Sequence, residues 1–195
     1  MPPKAKFTQE EIIEAAFRIV RTQGVDKLTA RELGSRLGSS ARPIFTVFET
    51  MDELKAEVIA RAKELYGRYI DSGLQQELAF QGVGMAYIRF SLEEPMLFRL
   101  LFMSAVPGQI GVESILPQID DSYERILQSV SKYVDSREAA DMIYQHLWTY
   151  THGIATMCAT GLCSYTMEQI QERLRQIFVA LMMMEKGAHK KDDKN

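Results

Sequence analysis

Cysteine and tryptophan are scarce in this chain: two of the first, Cys158 and Cys163, and a single tryptophan, Trp148. So low a cysteine count excludes a disulfide scaffold and suits a reducing compartment. No apolar run approaches ~18 residues, so no segment reads as membrane-spanning. The opening "MPPKAKFTQEE" lacks the apolar core of a secretory leader. The expected location is the cytoplasm, with no membrane partner. Enzyme signatures are missing as well: there is no G-x-S-x-G, no His-Glu-x-x-His and no Walker loop, and "GVGMAY" at Gly82 lacks the third glycine of a dinucleotide fingerprint. The paired carboxylates of "EEP" at Glu93 read as a solvated helix end. No catalytic residue and no cofactor is expected.

Charge of one sign is also absent as a global feature, the net value being −3 over 195 residues. Its distribution is uneven. Through Lys55 nine Lys and Arg face eight Asp and Glu, whereas the remainder holds fourteen against eighteen. A nucleic-acid footprint needs a local basic face, which the overall sign does not forbid.

What is present is helical periodicity almost throughout, with weak strand signals. Thr8 followed by Glu11 makes a capping-box start, Ile13, Phe17 and Val20 line one face, and Gly24 closes the helix. Thr29 and Glu32 repeat the start signal for a second helix with Leu33 and Leu37 inside, ended by Gly38. Ser39 or Ser40 can cap a third helix, which puts Pro43 in its first turn, where a missing N–H breaks no intrahelical bond. Ile44 and Phe48 then face inward, leaving Arg42, Phe45 and Thr46 directed elsewhere. Longer helices follow: to about Gly73, over 75–93, from Pro95 to a stop at Pro107 and Gly108, over 116–134, from a Ser136 cap to about Gly161, and over 167–185 with Gly187 as C-cap. The expectation is an all-α chain of nine helices, three short and then six mostly longer.

Two short helices joined by a glycine turn form a helix-turn-helix, whose second helix enters the major groove. The segment "SSARPIFTVF" supplies a small, polar start, donors, and an apolar rear face. An ordinary pair of buried helices would carry the same pattern. The whole stretch "FTQEEIIEAAFRIVRTQGVDKLTARELGSRLGSSARPIFTVFETMDELKAEVI", over 7–59, resembles the N-terminal signature of the TetR family of bacterial transcriptional regulators. "LWTYTHGIATM" is similar to a Trp-His-Gly element in one branch of that family's C-terminal domains.

The resemblance implies a helix-turn-helix DNA-binding domain over 1–50, a helical ligand-binding and dimerisation domain over 51–187, and a charged tail over 188–195. It implies DNA contacts by Thr29, Arg31, Ser40, Arg42, Pro43, Phe45 and Thr46, with Lys55 partly replacing the charge of a family lysine that is Met51 here. Arg42 has the planar fork that pairs with guanine O6 and N7, and Thr29, Ser40 and Thr46 can donate to phosphates. Phe45 stands where the family has Tyr, and Val47 where it has His. Phosphate anchoring is thereby weakened, and modest affinity with strong salt sensitivity follows.

The resemblance further implies a homodimer on a palindromic double-stranded operator and a small-molecule effector, with repression relieved by ligand. The last two long helices would form the dimer bundle, with Ile143, Leu147, Ile154, Leu174, Ile177, Phe178 and Leu181 supplying core and seam. Tyr66, Phe98, Met103, Tyr123, Trp148 and His152 are the ligand candidates, each offering shape or a polar handle on an apolar helix; core packing is the alternative for each. Eleven methionines add an adaptable lining or plain core. No metal is expected. On one continuous helix His152 and Cys158 stand about 120° apart, and His152 and Cys163 are separated by about 16 Å along the axis. Neither cysteine has an evident activating neighbour for a redox role. A different class of function stays open: a helical ligand-binding or protein-interaction module with a weakened DNA head.

Overall fold

The structure is a computed structural model that describes residues 6–103, 111–119 and 121–192. Nine α-helices lie among them and no strand: α1 (Gln9–Gln23), α2 (Ala30–Arg36), α3 (Met51–Leu74), α4 (Ala79–Glu93), α5 (Pro95–Phe102), α6 (Val112–Ile119), α7 (Tyr123–Val130), α8 (Arg137–Ala159) and α9 (Met167–Asp192). Short 3₁₀ turns occupy Val25–Lys27 and Ile44–Thr46.

The helix count matches expectation, but its composition does not. The expected third helix is only the 3₁₀ turn at Ile44–Thr46, and the expected helix over 116–134 is two, α6 and α7. Residues 75–78 form turns before α4 starts. Gly187 lies within α9 rather than capping it. Pro107 and Gly108, the expected stop after α5, lie outside the described residues.

Packing divides the chain into two compact units, at places other than residue 50. One holds α1, α2, α3 as far as Tyr66, and α5; the other holds α3 from Gly67, α4, and α6 to α9. In the first unit α1 is the organising helix. Thr8 accepts from the Glu11 N–H at 3.2 Å while Glu11 returns to the Thr8 N–H at 2.8 Å, which fixes its start. Gly24 ends it at φ +91°, a conformation that glycine adopts without a Cβ penalty. Ile12, Ala16, Ile19 and Val20 are buried, and α1 packs on α2 and α5.

Two ion-pair groups hold this frame. Arg61 of α3 reaches Glu10 at 2.6 Å and Glu14 at 3.1 Å. Hydrogen bonding to Glu10, opposed by desolvation, raises the Arg61 pKa. Arg21 forms a two-pronged pair with Glu94, its Nε donating to Oε2 at 2.7 Å and its Nη2 to Oε1. Of the two carboxylates in "EEP", Glu93 at the end of α4 is solvated as expected, but Glu94 is only 5 % exposed. Its carboxylate is buried because Arg21, 73 residues away, neutralises it.

In the second unit α4 packs most extensively on α8, and α8 also carries α6, α7 and α9. α3 and α4 cross at a pair of glycines. A Cβ on Gly73 would stand 2.6 Å from the Gly82 carbonyl oxygen, and one on Gly82 would meet Gln76 at 2.8 Å. The glycines of "GVGMAY" therefore serve close helix packing. Gly84 likewise faces Leu174 of α9, whose Cδ1 would stand 3.0 Å from a Cβ at that position.

Candidate nucleic-acid interface and ligand cluster

Thr29 has the extended backbone of an N-cap, and its hydroxyl oxygen accepts from the Glu32 N–H at 3.2 Å. A hydroxyl that accepts this way still has its proton to donate, so capping and a phosphate contact are compatible. The chain then turns tightly. The Ser39 N–H donates to the Gly34 carbonyl at 2.8 Å, with Gly38 at φ +63°. Gly34 was not singled out from sequence, yet a side chain there would begin 2.8 Å from the Ser40 carbonyl carbon. That close approach sets where residues 40–48 lie against α2.

The segment after the turn is not an α-helix. Pro43 is the N-cap of the 3₁₀ turn, and neither Ser39 nor Ser40 caps it. The cause is local: Ile44, Thr46 and Val47 are β-branched, and the Thr46 hydroxyl donates to the Pro43 carbonyl at 2.7 Å, competing for the acceptor that a helix would use. The facing of the side chains nevertheless follows the expected pattern. Ile44 and Phe48 are buried, while Arg42, Phe45 and Thr46 are exposed, Phe45 at 47 %.

The expected contact residues differ in how free they are. Arg31 and Arg42 are exposed and have no side-chain partner among the described residues. Ser40 is exposed and Pro43 half-buried. The Thr46 proton is engaged as described, and Lys55 pairs with Asp52 at 3.0 Å. One basic group escaped the sequence reading. Lys6 donates to Ser39 Oγ at 3.1 Å and lies 5.2 Å from the Phe7 ring centre, which puts a cation beside the turn. Its only sequence signal was a lysine shortly before the first cap.

The six ligand candidates fall into separate groups. Tyr66 and Phe98 are buried in the first unit around Phe102, with ring centres 5.0 and 5.6 Å from it. Met103 is exposed. In the second unit Tyr123 donates to Asp141 and lies 5.4 Å from Tyr144. Burial first, then Asp141, pushes the Tyr123 pKa up to about 12.

Trp148 and His152 are brought together, one turn apart on α8, with rings 4.7 Å apart and 9° from parallel. Tyr87 of α4 places its hydroxyl 2.9 Å from His152 Nδ1, and the Thr156 hydroxyl lies 3.4 Å from Nε2. Burial lowers the His152 pKa, so the ring is neutral at pH 7.

None of the six lines the groove of about 450 Å³ beside the glycine crossing, whose walls include Gln76, Leu78, Gln81, Met85, Arg89 and Gln171. Sequence reasoning missed it because its walls meet only where α3, α4 and α9 converge. The separation of His152 from Cys163 along one helix is also corrected. α8 ends at Ala159, Gly161 turns at φ +72°, and the Leu162 and Cys163 N–H groups both fold back to the Met157 carbonyl. Burial raises the Cys158 thiol, with Cys163 adding to the effect.

A family model described as "Tetracyclin repressor-like, C-terminal domain" matches residues 80–181, from α4 into α9 and more than half of the chain. No curated protein matches it. No helix among the described residues is long and apolar enough to cross a membrane. With that match over an all-α fold, the chain belongs to the TetR family of transcriptional regulators.

Proposed function

We propose that the protein is a homodimeric DNA-binding repressor, released from a palindromic operator by a small, largely apolar ligand. The observation that carries the reading is the segment 40–48 in a member of this family: its rear face, Ile44 and Phe48, is buried, and its outer face presents Arg42 with no side-chain partner among the described residues. Arg42 reads a base, Thr29 and Ser40 hold phosphates, Arg31 and Lys6 add positive charge, and Phe45 packs on the groove wall or a thymine methyl. Pro43 fixes the start of the turn. Thr46 and Lys55 contribute after release from Pro43 and Asp52.

The head is residues 1–50, and residues 51–187 hold effector and partner. The dimer seam is drawn from the exposed side of α8 and α9. Met142, His146, Thr149 and Gly153 form an exposed stripe on α8, and Val179 and Met183 lie one turn apart on α9. Ile143, Leu147, Ile154, Leu174 and Leu181 are buried within the protomer, so they serve core rather than seam. Ligand acts by population shift. Moving a 1:99 equilibrium to 99:1 takes a preference of ~5.5 kcal/mol for one state. The Trp-His-Gly element at Trp148, His152 and Gly153 supports membership of that branch of the family.

The 3₁₀ turn in place of a recognition helix and the phenylalanine at 45 support the second reading, a ligand-binding module with a weakened head. Selection from a random duplex pool at two salt concentrations separates the two. A repressor enriches a palindrome whose affinity falls steeply with salt; a folded dimer that enriches nothing favours the module.

A further inference from the structure

Among the described residues, Trp148 Nε1 is the one buried side-chain nitrogen or oxygen without a hydrogen-bond partner. Buried indole N–H groups ordinarily find one, and leaving a donor unpaired is costly. Its neighbours cannot relieve it. The His152 ring is stacked flat on the indole, and its two nitrogens face the Tyr87 and Thr156 hydroxyls. Tyr87 meets the indole with its ring, at 6.3 Å and 65°. The cluster therefore holds Trp148 rigidly from two sides while its single polar atom goes unused.

From this geometry we infer that Trp148 Nε1–H is the donor that recognises the effector, and that the effector is an apolar molecule carrying a neutral acceptor of the carbonyl type. The inference rests on the reading of the chain as an effector-responsive regulator. An indole N–H donates and cannot accept, so a ligand ammonium gains nothing from it. The two hydroxyls on the imidazole, those of Tyr87 and Thr156, are uncharged and burial keeps the imidazole neutral, so none of these three groups offsets the desolvation of a ligand carboxylate. A ketone, ester or lactone oxygen meets both constraints. One such hydrogen bond separates an acceptor-bearing ligand from its hydrocarbon counterpart by about tenfold in affinity.

Trp148 is the sole tryptophan, so a ¹⁵N-labelled sample gives one indole N–H resonance. Two matched pairs serve as probes: acetophenone with isopropylbenzene, and 2-decanone with decane. The expected result is a saturable downfield shift of that resonance with at least one ketone. Its hydrocarbon partner binds about tenfold more weakly or leaves the resonance in place. Trp148→Phe, which keeps an aromatic ring, removes the ketone preference in a competition assay. The inference is overturned if neither ketone produces a saturable shift, or if ketone and hydrocarbon bind alike. It is overturned equally if a folded Trp148→Phe protein retains the preference. Should that variant not fold, the wild-type resonance decides alone. No DNA enters this experiment, so a ketone preference in a protein that selects no duplex would uphold the donor and sink the regulator reading.

Discussion

Arg42 carries the sharpest prediction at the scale of single residues. Its guanidinium is exposed and without a side-chain partner among the described residues, so removing it breaks no hydrogen bond or ion pair among them. Arg42→Ala should weaken binding to the selected duplex by about 1–3 kcal/mol and relax preference at one base position. Anisotropy titrations against single-base variants of the duplex check this, and equal loss on every variant would make Arg42 a phosphate contact. His152 carries the pH dependence. Its pKa in the fold lies below the ordinary 6.5, so the unfolded chain takes up the proton first. The stability tied to it is complete above about pH 6.5 and is lost as pH falls through the lower folded value. Urea midpoints measured between pH 7.5 and 5 should fall less in His152→Gln than in wild type; parallel curves would remove His152 from the acid response.

At the scale of elements, the glycine crossing of α3 and α4 is the most exacting contact. Gly82→Ala would drive a methyl into the Gly73 carbonyl, which cannot yield without shifting α3, and against the Gln76 side chain. A loss of about 1–3 kcal/mol is expected, the usual cost of overpacking. A urea midpoint matching that of wild type would show that the helices separate freely.

This scale also explains what the sequence made legible. The capping signals at Thr8, Thr29 and Ser136 were readable because donor and acceptor lie three residues apart, and all three bonds are present. The third helix was misread because a small, polar start and a four-residue apolar spacing fit a 3₁₀ turn as well as an α-helix. Hydroxyl competition at Thr46 and three β-branched residues decided between them. Glu94 was misread because its partner is 73 residues distant and leaves no periodic trace. Trp148 and His152 were legible as neighbours four apart on a helix. That Tyr87 completes their cluster was not, since it arrives from α4 by tertiary packing.

For the molecule as a whole, the account requires two copies. A head of this size reads only a few base pairs, and two heads about 34–36 Å apart read successive turns of one face. Met183 is 69 % exposed on α9, with Val179 one turn before it. Replacing both with Glu should leave a folded monomer that binds the duplex weakly. Persistence of dimers in sedimentation equilibrium would move the seam elsewhere. The measurement that tests the central claim most directly is hydroxyl-radical footprinting of the selected duplex. Two equivalent protected half-sites on one face, with centres about 10–10.5 base pairs or a multiple apart, are predicted. A single protected patch, or none at saturating protein, would contradict a dimeric regulator that reads DNA through the face around Arg42.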